Sequence, residues 1–139
     1  VGCGKGFMLH DLVEALPSIN VAGIEVSNYA VDNCIQTMKP YLQVADARQL
    51  PFPDNSFDVV ISINTLHNLE KKDFKVAINE IERVSKVSSF ITVDAYNTEN
   101  ERIAMEAWNL TARTVMHINE WKDFFKEIGY TGDFYWFMP

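Results

Sequence analysis

Apolar residues recur along the chain in two alternating patterns. In one pattern, short and nearly continuous apolar runs are typical of strands buried in a parallel sheet. In the other, apolar residues recur at the helical spacing that marks the inner face of an amphipathic helix. The first pattern predicts strands at Asn20 to Val26, Tyr41 to Ala45, Asp58 to Asn64, Ser89 to Asp94 and Asp133 to Phe137.

Helical patterns lie between these predicted strands. They cover approximately Gly6 to Leu16, Asn28 to Lys39, Lys71 to Lys86, Glu99 to Thr111 and Asn119 to Ile128. A repeated order of strand and helix favours an α/β fold, because connected parallel strands place their crossover helices against the sheet. We therefore predict a doubly wound, mostly parallel sheet with helices on both faces.

Three glycines at alternate positions, Gly2, Gly4 and Gly6, precede the first predicted helix. Without a Cβ atom, the backbone can adopt positive φ and approach a ligand closely at the positive end of a helix. The turn is a candidate nucleotide-binding loop, and the alternative is a tight turn that holds nothing. The dinucleotide fingerprint has its third glycine three positions after the second. Because Gly6 follows Gly4 by only two positions, the spacing departs from the NAD pattern.

An acidic residue, Glu25, lies at the end of the first apolar run after this turn. It follows Gly6 by 19 positions, close to the offset of about 20 residues at which a strand-end acid binds ribose hydroxyls in nucleotide folds. A carboxylate suits that role because it can accept hydrogen bonds from two adjacent hydroxyls. The alternative is a strand-end acid that is only solvated.

Composition and charge limit the binding partners and the cellular compartment that we expect. The 139 residues suit one domain, and the formal net charge of -7 disfavours nucleic acid, whose binding depends on Lys and Arg. No apolar run is long enough to span a bilayer, and a signal peptide is not evident. The two cysteines, Cys3 and Cys34, form no metal or redox motif. We therefore expect reduced cysteines and a cytoplasmic protein.

The chain opens at Val1, at the end of the strand that should precede the glycine turn. In a parallel sheet that strand would be central, so its loss would leave two neighbours with unpaired backbone groups and a gap in the core. We expect residues 1–139 to form a single domain. We further expect this domain to be a fragment whose first central strand is largely missing.

Four stretches, in the right order, resemble class I S-adenosylmethionine-dependent methyltransferases of the small-molecule type, a group that includes the ubiquinone and menaquinone methyltransferases. The stretches are Val1 to Gly6, Glu25, Asp46-Ala47 followed by Leu50 to Asp58, and Asn64 to Leu69. The resemblance covers the whole chain and implies a Rossmann-like fold with S-adenosylmethionine as cofactor. It also implies that the acid that usually comes just before Val1 lies outside this chain.

The resemblance implies roles for particular residues. The glycine turn would lie under the methionine part of the cofactor, Glu25 would bind the ribose hydroxyls, and Asp46 would meet the adenine amino group. The segment that begins at Asn64 would face both the cofactor and the methyl acceptor. The implied cofactor-binding residues are Gly2, Cys3, Gly4, Gly6, Glu25, Val26, Asp46, Ala47 and Asn64.

The implied reaction is a direct in-line displacement, in which the acceptor attacks the methyl group of a sulfonium. The protein mainly has to hold donor and acceptor at near-attack distance and exclude water. A general base is needed only for a poorly acidic hydroxyl or a carbon acid. His67 is the candidate, because the ordinary pKa of histidine lies near neutrality. Alternatively, His67 hydrogen-bonds the backbone or packs over the adenine.

The candidate acceptor-binding residues are Leu66, His67, Tyr96 and His117. For His117, the alternative is a position just ahead of a helix capped by Asn119. The segment 95–115 interrupts the regular alternation beyond the end of a strand, where ligands bind in open α/β sheets. We therefore predict a lid at residues 95–115, and the alternative is a packed helical connection.

The predicted function is methyl transfer to a small organic acceptor. Many amino-methylating relatives carry Asn-Pro-Pro-aromatic where this chain has Asn64 to His67, and carbon, oxygen and nitrogen acceptors stay open, as does the oligomeric state. Two alternatives come from other classes of protein. One is a non-catalytic S-adenosylmethionine-binding subunit or scaffold. The other is an NAD-dependent oxidoreductase, which the glycine spacing opposes.

Overall fold

Parallel strands pair in two sheets in the computed structural model, which describes residues 1–138. Strand β1 pairs with β2, while β4 pairs with β3 on one side and β6 on the other and with β5 near its end. The predicted α/β class with a mostly parallel sheet is confirmed. The elements are α1 (Phe7–Ala15), β1 (Gly23–Glu25), α2 (Asn28–Asp32), β2 (Leu42–Val44), β3 (Phe57–Ile63), α3 (Lys71–Val84), β4 (Ser85–Tyr96), α4 (Glu99–Trp108), β5 (Met116–His117), α5 (Ile118–Ile128) and β6 (Asp133–Phe137).

Residues 1–3 join the two sheets. The backbone nitrogen of Val1 donates to the carbonyl of Ile61 in β3 at 2.7 Å, and the amides of Gly2 and Cys3 donate to the carbonyl of Ile24 in β1 at 2.9 and 3.0 Å. Beside this link, an apolar cavity of about 300 Å³ separates the two sheets. Its lining includes residues of α1, β1 and β3.

The main core lies where α3 and α5 pack against the four-stranded sheet. The apolar spacing of α3 and α5 predicts which side chains are inside, and the predicted inner residues of α3 are all buried. Fully burying one such side chain stabilises the fold by about 1.5–3 kcal/mol. Trp121 of α5 stacks on Phe125 with ring centroids 5.3 Å apart. The buried residues of α3 are Phe74, Ala77, Ile78, Ile81 and Val84.

The second helix is shorter than the sequence pattern predicts. The apolar spacing predicts a helix that reaches about Lys39, but α2 ends at Asp32 and a 3-10 helix follows at Gln36–Tyr41. At the end of α2, the Asn33 side-chain amide donates to the carbonyl of Tyr29 at 2.9 Å. Such a local side-chain bond competes with helix continuation. In addition, Pro40 lacks the amide hydrogen that a continuous α-helix needs.

The helix after β4 is also shorter than expected. Instead of reaching about Thr111, α4 ends at Trp108. The Asn109 side chain then accepts from the amide of Ala112 at 2.8 Å and donates to its carbonyl at 2.9 Å. This asparagine turn redirects the chain, so residues 109–112 form a loop beyond the sheet. No helix within residues 1–138 is long and apolar enough to cross a membrane.

The close approach of Gly2 to the loop after β3 gives a first prediction. Gly2 has φ +70°, and a Cβ there would overlap the side chain of Thr65. Replacing Gly2 with Ala should therefore lower the free energy of unfolding by about 2–5 kcal/mol, since left-handed backbone costs about 1–2 kcal/mol and overpacking about 1–3 kcal/mol. Urea unfolding followed by tryptophan fluorescence measures the change.

The matched control is Gly4→Ala. Gly4 has φ +54°, but a Cβ there would meet no atom within 4 Å. Only the backbone cost of about 1–2 kcal/mol is then expected. Equal losses of stability in the two variants would mean that the contact with Thr65 is unimportant.

Candidate cofactor and acceptor site

The glycine turn has one face open to a ligand. Gly2 and Gly4 both adopt positive φ, at 70° and 54°, as the sequence predicts for a turn from a strand into a helix. Open space lies where a Cβ of Gly4 would project, whereas Gly2 packs against Thr65. The turn therefore presents bare backbone on the side of Gly4 and is held from behind by the loop after β3.

Glu25 supports this turn as well as ending β1. Its Oε2 accepts from the amide of Gly4 at 3.0 Å, and its Oε1 accepts from the amide of Ser27 at 3.0 Å. Each carboxylate oxygen can accept a second hydrogen bond, so Glu25 can still bind two hydroxyls. The supporting role was missed by sequence reasoning, because the contact with Gly4 joins residues 21 positions apart.

Asp46 lies just beyond β2 and is already paired. Its Oδ1 accepts from the backbone amide and Nε of Arg48 at 2.8 and 3.0 Å, and its Oδ2 accepts from Nε and Nη2 of the same residue at 3.1 and 2.6 Å. The Arg48 guanidinium lowers the pKa of this carboxyl and also contacts Asp73 at 3.0 Å. A carboxylate held in this way has little free capacity to accept from an adenine amino group. Arg48 would have to release Asp46 for the predicted contact to form.

The loop after β3 is fixed to β4. The amide of Asn64, a residue with φ 47°, donates to Oγ1 of Thr92 at 2.9 Å. That hydroxyl in turn donates to Oδ1 of Asn64 at 2.6 Å. Within the loop, the Thr65 hydroxyl donates to the carbonyl of Ile63 at 2.9 Å. Thr92 therefore positions the predicted site residue Asn64, while Thr65 fixes the neighbouring backbone, and the sequence pattern singled out neither threonine.

His67 is buried, with 4% of its surface exposed. Its Nδ1 accepts from the backbone amide of Asp94 at 3.1 Å, so the neutral ring carries its hydrogen on Nε2. Burial lowers the pKa of His67 to about 4. This geometry corresponds to the alternative of a backbone hydrogen bond. It opposes a role as general base, because the neutral ring has no free lone pair.

A cavity of about 310 Å³ lies beyond the carboxyl ends of β3 and β4. Of the four predicted acceptor-binding residues, only His67 is part of its lining. The end of α4 and the following loop form the opposite wall, where Leu110 is 94% exposed. A lid at residues 95–115 stays a prediction. The lining residues are Asn64, His67, Asp94, Ala107, Trp108, Asn109, Leu110, Thr111 and Ala112.

The other predicted acceptor-binding residues have structural contacts instead. Leu66 is 1% exposed and belongs to the core. His117 is the N-cap of α5, where its Nδ1 accepts from the amide of Asn119 at 3.1 Å, and Tyr96 packs edge-on against the His117 ring at 5.7 Å. The alternative in which Asn119 caps this helix is wrong. The cap is His117, two positions earlier, because its imidazole nitrogen accepts the hydrogen bond that a capping side chain provides.

A family described as methyltransferase domains matches residues 1–93. The chain belongs to this family. It is 32% identical to the mitochondrial arginine-hydroxylase NDUFAF5 of Rattus norvegicus over 62% of this chain and 24% of that protein. It is 31% identical to the tRNA (carboxymethyluridine(34)-5-O)-methyltransferase of Arabidopsis thaliana over 86% of this chain and 28% of that protein. The chain therefore spans about a quarter of the length of these two relatives.

Solved structures agree with the fold. A SAM-dependent methyltransferase from Archaeoglobus fulgidus superimposes with a TM-score of 0.72 at 19% identity, over 92% of this chain and 57% of that one. The predicted Rossmann-like methyltransferase fold is confirmed, and S-adenosylmethionine is the cofactor of this family. The NAD-dependent alternative is not favoured. The open face of Gly4 and the remaining acceptor capacity of Glu25 fit this cofactor.

Burial of His67 predicts a pH dependence of stability. Between its ordinary pKa of 6.5 and the value of about 4 in the folded protein, the unfolded chain binds a proton that the folded chain does not. The free energy of unfolding should therefore fall as pH decreases through this range, by at most about 1.4 kcal/mol per pH unit. Urea unfolding at several pH values measures the slope.

His67→Gln is the comparison variant, because glutamine can still accept a hydrogen bond from the Asp94 amide. Burial raises the pKa of Asp94. In both proteins, Asp94 therefore makes the free energy of unfolding rise as pH decreases, which is opposite in sign to the effect of His67. The difference between the two proteins therefore isolates His67. Identical pH profiles would show that His67 titrates normally in the folded state.

Proposed function

We propose that this protein transfers the methyl group of S-adenosylmethionine to a small organic acceptor by in-line displacement. One observation supports the proposal most directly: the loop after β3 contacts the glycine turn and also lines the cavity beyond β3 and β4. Thr65 packs against Gly2 of the glycine turn, while Asn64 and His67 line the cavity beyond β3 and β4. A ligand on the turn and a ligand in the cavity would thus be held by the same short loop.

The cofactor supplies a methyl group that is already activated for transfer. The residues of this chain would bind it and orient it. Glu25 is the best supported contact, because it is fixed by two backbone amides and keeps two free acceptor positions. The proposed cofactor-binding residues are those expected from the sequence: Gly2, Cys3, Gly4, Gly6, Glu25, Val26, Asp46, Ala47 and Asn64.

The formal net charge of -7 supports a small organic acceptor and not a nucleic acid, since nucleic-acid binding depends on cationic side chains. The Arabidopsis relative is named as a tRNA methyltransferase, so tRNA belongs among the acceptors tested. Free Cys3 and Cys34 are compatible with a reducing compartment, and a cytoplasmic location stays a prediction.

Calorimetric titration of S-adenosylmethionine, S-adenosylhomocysteine and NAD into the protein tests the proposal. Binding of the two sulfur compounds without NAD is expected. Formation of S-adenosylhomocysteine with any of a set of small acceptors would then establish methyl transfer, whereas turnover with tRNA alone would overturn the proposed acceptor class. Selective binding of NAD, or binding of none of the three, would overturn the proposed function.

A substitution at Glu25 tests the ribose contact. Glu25→Ala should weaken S-adenosylmethionine binding by at least about tenfold, because a hydrogen bond to a charged group contributes about 1.5–3 kcal/mol. Glu25→Gln keeps one acceptor oxygen and should give a smaller loss. The control is Glu14→Ala, which removes an exposed acid of α1 and should leave the affinity unchanged. Unchanged affinity in Glu25→Ala would remove Glu25 from the site.

A substitution at Arg48 tests whether Asp46 binds the adenine. Arg48→Ala releases the Asp46 carboxylate from its ion pair, so cofactor affinity should rise by up to about fivefold, the worth of an exposed salt bridge of at most about 1 kcal/mol. Lys86→Ala, which removes another exposed cation beside an acid, is the control. Weaker binding in Arg48→Ala would instead mean that Arg48 itself holds the cofactor. Calorimetry measures all three affinities.

A further inference from the structure

The carboxyl group of Asp94 is buried at the wall of the cavity. Asp94 lies in β4, two residues before the strand ends, and is 5% exposed. Within residues 1–138, no hydrogen-bond donor is assigned to its carboxyl oxygens. His67 Nδ1 lies 3.4 Å from Oδ1, but the lone pair of that nitrogen already accepts from the Asp94 amide. A largely buried aspartate whose carboxyl accepts no hydrogen bond from the described residues therefore borders a cavity of about 310 Å³.

Two buried side chains hold the backbone of Asp94. The amide donates to His67 Nδ1 at 3.1 Å, and the carbonyl accepts from Nε1 of Trp121 at 3.0 Å. Trp121 is fully buried in the core. Both main-chain groups of one residue are thus fixed by side chains from different parts of the fold. Such support is typical of a residue whose side chain must be held in one position.

We propose that Asp94 is the proton-accepting group of the acceptor site, and that His67 is a positioning residue that holds it. This inference rests on the proposed function and deepens it, because it names the residue that takes the proton and the kind of acceptor that fits. It replaces His67 as the candidate base. His67 lines the same cavity, and its Nε2–H group donates to no acceptor among the described residues.

The proton transfer follows from this arrangement. As the oxygen or nitrogen of the acceptor attacks the methyl carbon, a bond forms between them, and the carbon–sulfur bond breaks with its electron pair left on sulfur. The proton on the attacking atom passes to the Asp94 carboxylate. Burial raises the pKa of this carboxyl, which makes it a better proton acceptor than an exposed aspartate.

The charge of Asp94 limits the class of acceptor. A hydroxyl or amine can donate to the carboxylate, whereas a carboxylate or phosphate would place a second negative charge beside the first in a desolvated cavity. The rest of the described lining adds no cationic side chain at neutral pH, because burial lowers the pKa of His67 to about 4 and the other residues are amides, a threonine and apolar groups. The cavity should therefore select acceptors with an O–H or N–H group and reject anions.

Three ring compounds of similar size, phenol, aniline and benzoate, test this selection. Each is titrated into protein carrying carbonyl-labelled aspartate, and the carbon resonance of the Asp94 side chain is followed by NMR, with and without S-adenosylhomocysteine. Phenol and aniline should shift this resonance and bind at least about tenfold more tightly than benzoate. Equal or tighter binding of benzoate would overturn the proposal, and so would binding of none of the three.

Asp94→Asn is the matched variant. It should lose most of the affinity for phenol and aniline, bind benzoate no worse than before, and retain affinity for S-adenosylhomocysteine. Asp123→Asn, which changes an exposed acid of α5, should behave as the unmodified protein. Unchanged preference for phenol in Asp94→Asn would overturn the proposal. If neither S-adenosylmethionine nor S-adenosylhomocysteine binds, the proposed function fails. Titration of phenol, aniline and benzoate without S-adenosylhomocysteine still tests the role of Asp94 in the cavity.

A measurement on the unmodified protein covers the case in which Asp94→Asn does not fold. Nitrogen NMR of labelled histidine reports which ring nitrogen of His67 carries hydrogen. The expected result at neutral pH is a neutral ring with hydrogen on Nε2 alone, which a positioning residue requires and a general base does not. Hydrogen on Nδ1, or a doubly protonated ring, would overturn the assignment of His67 as the residue that holds Asp94.

Discussion

Backbone pairing along β4 is the constraint on which the rest of the structure depends. This strand has hydrogen-bonded neighbours on both edges, β3 and β6, and its last residues pair with β5. Its side chains Ile91, Val93 and Ala95 are buried in the same core cluster as the inner residues of α3 and α5. The pairing of β4 with β3 ends at Thr92. From this point on, side chains take the place of the β3 backbone as hydrogen-bond partners. Thr92 holds Asn64, and Asp94 is held by His67 and Trp121.

This replacement explains why the candidate site lies where it does. Beyond the carboxyl end of a parallel strand, backbone groups no longer find partners in the neighbouring strand, so polar side chains are needed to satisfy them. The same side chains fix the loop after β3, which then meets the glycine turn at Thr65 and Gly2. The cofactor side and the acceptor side are therefore joined through this loop, which hydrogen bonds fix to β4 and a packing contact links to the glycine turn.

The residues that sequence reasoning predicted best are those whose role depends on local backbone. The glycine turn is an example, since Gly2 and Gly4 have the positive φ that their spacing indicates. The acceptor side was predicted less well. Leu66 and His117 lie at plausible positions in the chain, but one is in the core and the other caps a helix. Neighbours far apart in sequence decide such roles, and periodicity carries no information about them.

By itself, the sequence determined the α/β class, the order of the helices and of every strand except the short β5, and the glycine turn with Glu25 at the following strand, because apolar periodicity and glycine conformation are local properties. Only the tertiary structure decided which polar groups already have a hydrogen-bond or ion-pair partner within the chain. Asp46 is paired with Arg48, the Nδ1 lone pair of His67 is used by an amide, and the Asp94 carboxyl is left facing a cavity. These assignments depend on hydrogen bonds between segments distant in the chain, and those partners exist only once the sheet has formed.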